Sequence, residues 1–217
     1  MLNLSFVVIA TFTGLFTQIN VSKIQNDTVK GRFYMNPPSY YLMHVNYPVD
    51  QVLFNRGDTT FIYYPETKEG FKLISNYSNS PEVSKSLIPV FKDEYLTKLG
   101  MILVKSDYKN GVLTKYYSPT DSKSKLKFIK IVYKNHLINR IEVIDRDNNV
   151  VKRSVYGNYK RVNNRNIPMR IKNYSRINKD SAVSQIDYDS VIYREKLPDS
   201  IENYKIPPEI KLKEMKW

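Results

Sequence analysis

The 217-residue sequence has no cysteine and only 7 glycines. The missing thiols exclude a disulfide scaffold, a thiolate-ligated zinc or iron–sulfur centre and a cysteine nucleophile. They also exclude a bacterial lipoprotein anchor, which needs a cysteine at the mature N-terminus to carry the acyl chains. Long apolar runs are lacking too. The one apolar stretch, Leu2, Leu4 and Phe6–Ala10, is shorter than the roughly 20 residues that span a bilayer. His44 and His136 lie far apart and neither has a metal-ligand spacing. There is no Gly-x-Ser-x-Gly elbow and no glycine-rich phosphate loop. The run Asp145-Arg146-Asp147-Asn148-Asn149 lacks the glycine and distal glutamate of a calcium loop. Asp187 and Asp189, two apart on a strand, read as solvent-facing polar residues. These absences predict no enzyme, no cofactor and no metal.

What is present is tyrosine, 18 of them, and positive charge: 34 Lys+Arg against 21 Asp+Glu give +13. The 41% apolar content is enough for a globular core. A basic chain suits an acidic partner, either nucleic acid or an anionic membrane surface. Val155–Lys172 mixes Tyr156 and Tyr159 with Lys160, Arg161, Arg165 and Arg170, a combination that can stack bases and hold phosphates. The cations are spread along the whole chain, however, and no nucleic-acid module is recognisable. A basic β-rich nucleic-acid-binding protein is therefore the alternative from another class, and nucleic acid is not the expected partner.

The chain divides into three parts. Residues 1–10 form an N-terminal apolar segment, the remnant of a signal peptide or a short helix. Residues 11–195 read as a single, mainly β domain, and 196–217, with Pro198, Pro207 and Pro208, as an irregular tail. β-Branched and aromatic residues punctuated by turn signals predict about ten short antiparallel strands. In Phe33–Val45 the odd positions Phe33, Met35, Tyr41, Met43 and Val45 are the more uniformly apolar, and point inward. After Gly100 the expected strands are Met101–Ser106, Val112–Ser118, Leu126–Tyr133, Asn139–Ile144, Val151–Lys160, Pro168–Tyr174 and Val183–Tyr193. The exception is a helical insertion at about 81–99. It opens on Ser80-Pro81-Glu82, carries Val83, Leu87, Ile88, Phe91, Tyr95 and Leu99 on one stripe, and ends with Gly100 at the C′ position. The fold class is a strongly curved antiparallel sheet or unclosed β-barrel with a short helical lid over one opening.

The order of these pieces resembles the LolA family of periplasmic outer-membrane lipoprotein carriers. Thr11-Phe12-Thr13-Gly14-Leu15-Phe16-Thr17-Gln18 is similar to its opening strand. Gly31-Arg32-Phe33, Pro38 before Tyr40 and Tyr41, Tyr47-Pro48, Gly57 and Phe61–Pro65 follow in the family's order, and Ile138–Val151 and Tyr156–Arg170 resemble its later hairpins. The resemblance runs from about Thr11 to Tyr193. It implies a monomeric periplasmic chaperone whose cavity holds the acyl chains of lipoproteins. Its partners would be acylated lipoproteins, an inner-membrane exporter, an outer-membrane acceptor and, transiently, the membrane surface. Tyr41 falls on the family's cavity-lining aromatic. Phe33, Met35 and Met43 share its face, and Phe54, Phe61 and Tyr63 are placed in the same cavity. Val83, Leu87, Ile88, Phe91, Tyr95 and Leu99 would form the lid, though each of these side chains also reads as ordinary core. The family's lid-latching arginine is replaced by Pro37, which cannot donate the latching hydrogen bonds. A carrier or sensor of another lipid or glycolipid is the alternative within the same fold.

Overall fold

The computed structural model describes residues 11–23, 26–36, 40–56, 59–74, 96–97, 99–177 and 180–216. The strands are β1 (Thr11–Val21), β2 (Asn26–Asn36), β3 (Tyr40–Tyr47), β4 (Gln51–Arg56), β5 (Thr59–Tyr64), β6 (Glu69–Ile74) and β7 (Met101–Lys109). They continue as β8 (Val112–Pro119), β9 (Leu126–Lys134), β10 (Leu137–Asp145), β11 (Val150–Val162), β12 (Arg165–Ile177), β13 (Asp180–Arg194) and β14 (Leu212–Lys216). A one-turn helix, α1, covers Asp199–Glu202. The strands form a 14-stranded sheet in the order β14-β6-β5-β4-β3-β2-β1-β13-β12-β11-β10-β9-β8-β7. The order ends on two different strands, so the sheet is unclosed. The seven strands expected after Gly100 are all present as β7–β13, each of them longer than expected.

Asparagine makes the tight reversals. Asn110-Gly111, Asn135-His136 and Asn163-Asn164 have positive φ at both positions, as type I′ hairpin turns require. Asparagine tolerates this region through local hydrogen bonding of its short side chain. His136 is therefore an exposed turn residue, and His44 Nε2 meets Asp50 Oδ1 at 2.8 Å on the surface. Gly100 has φ +72° and its N–H donates to the Thr97 carbonyl at 2.9 Å, the left-handed cap expected of it.

The C-terminal stretch corrects an expectation. Residues 196–217 were expected to be irregular, yet they carry α1 and β14. Pro198 fits at the start of a helix, because the missing N–H is an unpaired one there. β14 lies parallel to β6, with Leu212 opposite Gly70 and Lys216 opposite Ile74, so the sheet is not wholly antiparallel. Lys213–Glu69 at 2.8 Å and Lys72–Glu214 at 3.1 Å join the two strands. The prolines precede the strand rather than interrupt it, which hid its short Leu-Lys-Glu alternation.

The chain divides into two compact units, residues 1–16, 30–76 and 189–217 in the first, and 17–29 and 77–188 in the second. In the first unit, two glycines each receive an aromatic ring. A Cβ on Gly14 would lie 3.0 Å from Phe33 Cε1, and one on Gly31 would lie 2.9 Å from Phe16 Cε1. Rings laid over strand glycines replace the packing that those glycines lack. Gly31 is the tighter site, because its Cβ would also fall 2.2 Å from the His44 carbonyl oxygen. Gly31→Ala is expected to cost about 1–3 kcal/mol by overpacking and to lower the thermal midpoint by several degrees. An unchanged midpoint in a circular-dichroism melt would show that β2 and β3 have room to part.

Candidate functional site

The register of the first unit sorts its apolar residues onto two faces. Tyr34, Leu42, Phe54 and Phe61 are successive cross-strand partners on β2–β5. Val52 and Tyr63, also paired, lie on the same face. The opposite face carries Phe33, Met43, Leu53, Ile62 and Phe71 as one row, and Met35, Tyr41, Asn55, Thr60 and Leu73 as the next. Strand side chains alternate, so membership of a face follows directly from these pairs.

The first face is core. Leu42, Val52 and Phe54 are buried, and Ile201, Tyr204 and Ile206 pack against them. Phe54 stacks on Phe61 with centroids 4.9 Å apart and meets Tyr204 edge-on at 5.3 Å. The Tyr40 hydroxyl donates to the Ile201 carbonyl at 2.6 Å. The C-terminal segment therefore covers this face. Phe54, Phe61 and Tyr63 were expected in one cavity with Tyr41. They lie instead on the face opposite Tyr41. The sequence concealed this because β4 and β5 are apolar at both parities, as in Val52-Leu53-Phe54 and Phe61-Ile62-Tyr63.

The second face brings together Phe33, Met35, Tyr41 and Met43. Phe33 and Met35 are each 3% exposed, whereas Tyr41 and Met43 keep part of their surface accessible, as do Leu53, Ile62, Phe71 and Leu73. These last four extend the face and were not singled out from the sequence. The alternation of Phe71 and Leu73 in β6 was the available signal. Burial pushes the Tyr41 hydroxyl well above the usual phenol range, so it stays protonated. Its cross-strand partner Asn55 has a buried Oδ1 with no hydrogen-bond partner among the described residues. The face is thus an apolar, partly open surface. It has one adaptable methionine, Met43, and few polar atoms.

In the second unit one face is dry. Tyr117 pairs with Ile129, Ile131 with Ile141 and Tyr156 with Ile171, and all six are buried. Burial pushes the Tyr156 hydroxyl up to about 12. The other face is charged. Glu142 is buried yet meets three cations: Arg153 Nε at 2.8 Å, Lys130 Nζ at 3.3 Å and Arg140 Nε at 3.5 Å. Burial alone would raise its carboxyl, but the charges of Arg140, Arg153 and Lys130 prevail and hold it below the usual carboxylate range.

Several expected site residues, Val83, Leu87, Ile88, Phe91, Tyr95 and Pro37, lie outside the described residues, as do residues 1–10. Leu99 is described; it sits in a turn and is 38% exposed, while Leu96 is fully buried. Among the described residues no group of three or more His, Asp or Glu is placed to hold a metal, and no helix is long and apolar enough to cross a membrane.

Comparison with known proteins completes the description. The model of the family "Outer membrane lipoprotein carrier protein LolA" matches residues 8–161. Among solved structures, the chain is similar to an outer membrane lipoprotein-sorting protein domain from Vibrio parahaemolyticus (TM-score 0.65, 15% identity, 89% of each chain). It is similar to a LolA superfamily protein from Nitrosomonas europaea (TM-score 0.60, 14% identity, 89% of this chain and 90% of that one). It is also similar to a DUF1329 family protein from Desulfovibrio piger (TM-score 0.62, 12% identity, 92% and 91%). At these identities the structural likeness establishes the fold. No curated protein sequence matches the chain.

Two predictions follow from the faces. Phe54→Ala is expected to cost about 3 kcal/mol, read as a lower urea midpoint, because its ring fills the covered face; an unchanged midpoint would contradict that packing. Glu142→Gln is expected to cost on the order of 2 kcal/mol at neutral pH, less than for a fully buried pair because the three cations are part-exposed. The folded carboxyl is held below its unfolded value, so its contribution is present above the ordinary carboxylate range and is lost as pH falls through the folded value. Urea titrations of wild type and Glu142→Gln should therefore converge in acid; a constant gap would assign the effect to packing.

Proposed function

We propose, on the premise that this chain belongs to the LolA family of outer membrane lipoprotein carrier proteins, that it is a non-catalytic periplasmic chaperone for acylated proteins. It would take lipoproteins from an inner-membrane exporter, hold their acyl chains against the partly open apolar face of the first unit, and yield them to an acceptor at the outer membrane. The observation that carries this reading is the family match across residues 8–161. The face of Phe33, Met35, Tyr41 and Met43 supports it as an apolar surface not wholly used up in packing.

The physical need is simple. Each methylene taken out of water is worth about 0.8 kcal/mol, so an acyl chain of about 15 methylenes costs roughly 12 kcal/mol to expose. Crossing an aqueous compartment calls for an apolar surface to cover it. Methionine suits such a surface because its unbranched, flexible side chain repacks around chains of different shape.

Native mass spectrometry of the full chain, purified without detergent, tests the reading. Acyl-bearing adducts are expected on the wild type and a greater than tenfold loss of them on Met43→Asp, with the thermal midpoint little changed because Met43 is part-exposed. Lipid-modified protein in the adducts would support lipoprotein transport. Free lipid or glycolipid alone would move the assignment to the other carrier reading. An adduct-free wild type that shifts DNA with steep salt dependence would overturn both.

A further inference from the structure

An unclosed sheet has two edges, and here they differ. β14 carries charge at three of its five positions, Lys213, Glu214 and Lys216. β7, at the other end of the order, pairs with β8 alone among the described residues and leaves apolar side chains in water. Tyr108 is 76% exposed, and Ile102, Leu103 and Val104 are each about half exposed. An edge strand also presents a row of backbone N–H and C=O groups to any strand that can reach it, and proteins usually blunt such edges with lysine, proline or a bulge. β7 has no proline. Its one bulge falls at Val104, and from Lys105 to Lys109 its pairing is regular.

The lysines of β7 do not bar a second copy of the same strand, because Asp107 lies between them. Lys105 and Asp107 share the face that carries Tyr116 and Thr114, and Lys105 Nζ meets Asp107 Oδ2 at 2.8 Å. Ser106 and Tyr108 lie on the other face, opposite Lys115 and Leu113. Two copies of β7 paired antiparallel about a two-fold axis normal to the sheet keep each face continuous. With the axis at Ser106, Lys105 of each copy falls opposite Asp107 of the other. The four charges then alternate in sign around a rectangle, so each has opposite charges on both sides. Tyr108 falls opposite Val104, which covers two exposed apolar side chains with each other. An axis at Lys105 or at Asp107 opposes like charges instead. An axis at Tyr108 opposes Asp107 to Lys109, but only residues 107–109 then overlap before the Asn110-Gly111 turn, against residues 103–109 with the axis at Ser106.

We propose that the outer edge of β7 is a self-association surface, on which a second copy of this chain adds its own β7 antiparallel with Ser106 at the two-fold axis. The dimer is isologous and stands in place of the monomer that the family resemblance implies. A contact of one short strand per copy is weak, with a dissociation constant of about 10–100 μM. The inference goes beyond the carrier reading, and either can fail without the other, because the cargo face belongs to the first unit and β7 to the second.

Sedimentation velocity of the full chain between about 1 and 300 μM tests this. The wild type should pass from monomer to dimer across that range. Asp107→Lys sets lysine against lysine across the axis and should weaken association about tenfold or more. Adding Lys105→Asp reverses both charges and should restore the dimer. A wild type that stays monomeric, a dimer that Asp107→Lys leaves as tight, or one that the reversed pair fails to restore would overturn the proposal. Ser106→Cys gives a second readout, since the chain has no other thiol. Opposed Cα atoms in an antiparallel pair lie about 4.5–5.5 Å apart, within the span of a disulfide. Mild oxidation should therefore link Ser106→Cys into covalent dimers and leave Ser122→Cys, in an exposed turn, largely unlinked. Equal linking at the two positions would place the contact elsewhere and overturn the proposal. Should Asp107→Lys fail to fold, this pair of cysteine variants decides.

Discussion

The packing of the C-terminal segment against Leu42, Val52 and Phe54 is the interaction on which the first unit depends. β3–β5 carry apolar residues at both parities, as in Tyr41-Leu42-Met43, Val52-Leu53-Phe54 and Phe61-Ile62-Tyr63, so both of their faces demand cover. A sheet in that position has three outcomes: bury both faces internally, associate through one, or reserve one for a ligand. This chain spends its own last residues on one face. Ile201, Tyr204 and Ile206 lie on the Leu42–Phe54 cluster, and β14 extends the pairing along β6. Aromatic residues dominate that contact because each ring buries a large area with few rotatable bonds. The opposite face keeps Tyr41, Met43, Leu53 and Ile62 part-exposed, and it is the face proposed above for the ligand.

Charge follows the same logic of faces. The +13 first suggests nucleic acid, but the strand register shows how much of it belongs to a wet sheet face. Lys130, Arg140 and Arg153 converge on one buried carboxylate, Glu142. Removing any one cation leaves the carboxylate paired, whereas removing the carboxylate leaves three cations mutually repelling. The arrangement concentrates structural dependence on a single acidic residue.

Much of the fold was legible because its signals are local. Turn asparagines and alternating strands marked β7–β13, and Gly100 marked the left-handed turn that precedes β7. The LolA-like order of motifs was also legible, because it rests on the sequence of turns and aromatics rather than on any one residue. The site was legible only in part. Phe33, Met35, Tyr41 and Met43 sit in strands whose two parities differ in polarity, so their common face could be read. Phe54, Phe61 and Tyr63 sit in strands apolar on both sides, where alternation carries no information and only the register decides. The tail was misread for a related reason. Its apolar residues, Ile201, Tyr204 and Ile206, have no periodicity of their own, because they are spaced to fit Phe54 and its neighbours rather than a helix or strand.

A carrier of acyl chains faces an opposing pair of demands, and the open face proposed to hold them would meet both through its composition. An acyl chain worth roughly 12 kcal/mol of transfer free energy would, if fully covered, be held at about nanomolar affinity before ordering costs are subtracted. Release into water from such a grip is slow, so hand-over must proceed to another apolar surface without passing through solvent. A deep, fully enclosed pocket would block that approach. A sheet face that remains part-exposed at Tyr41 and Met43 leaves an acceptor room to reach the chain while Phe33 and Met35, buried beside them, keep the underlying strands fixed. The cost falls on the apo state, which must expose those side chains to water. The covered face of the same strands, locked by Tyr204 and the Tyr40–Ile201 hydrogen bond, supplies the offsetting stability. On the proposed reading, the tail would support carrying even though it lies on the other side of the sheet from the face assigned to the cargo.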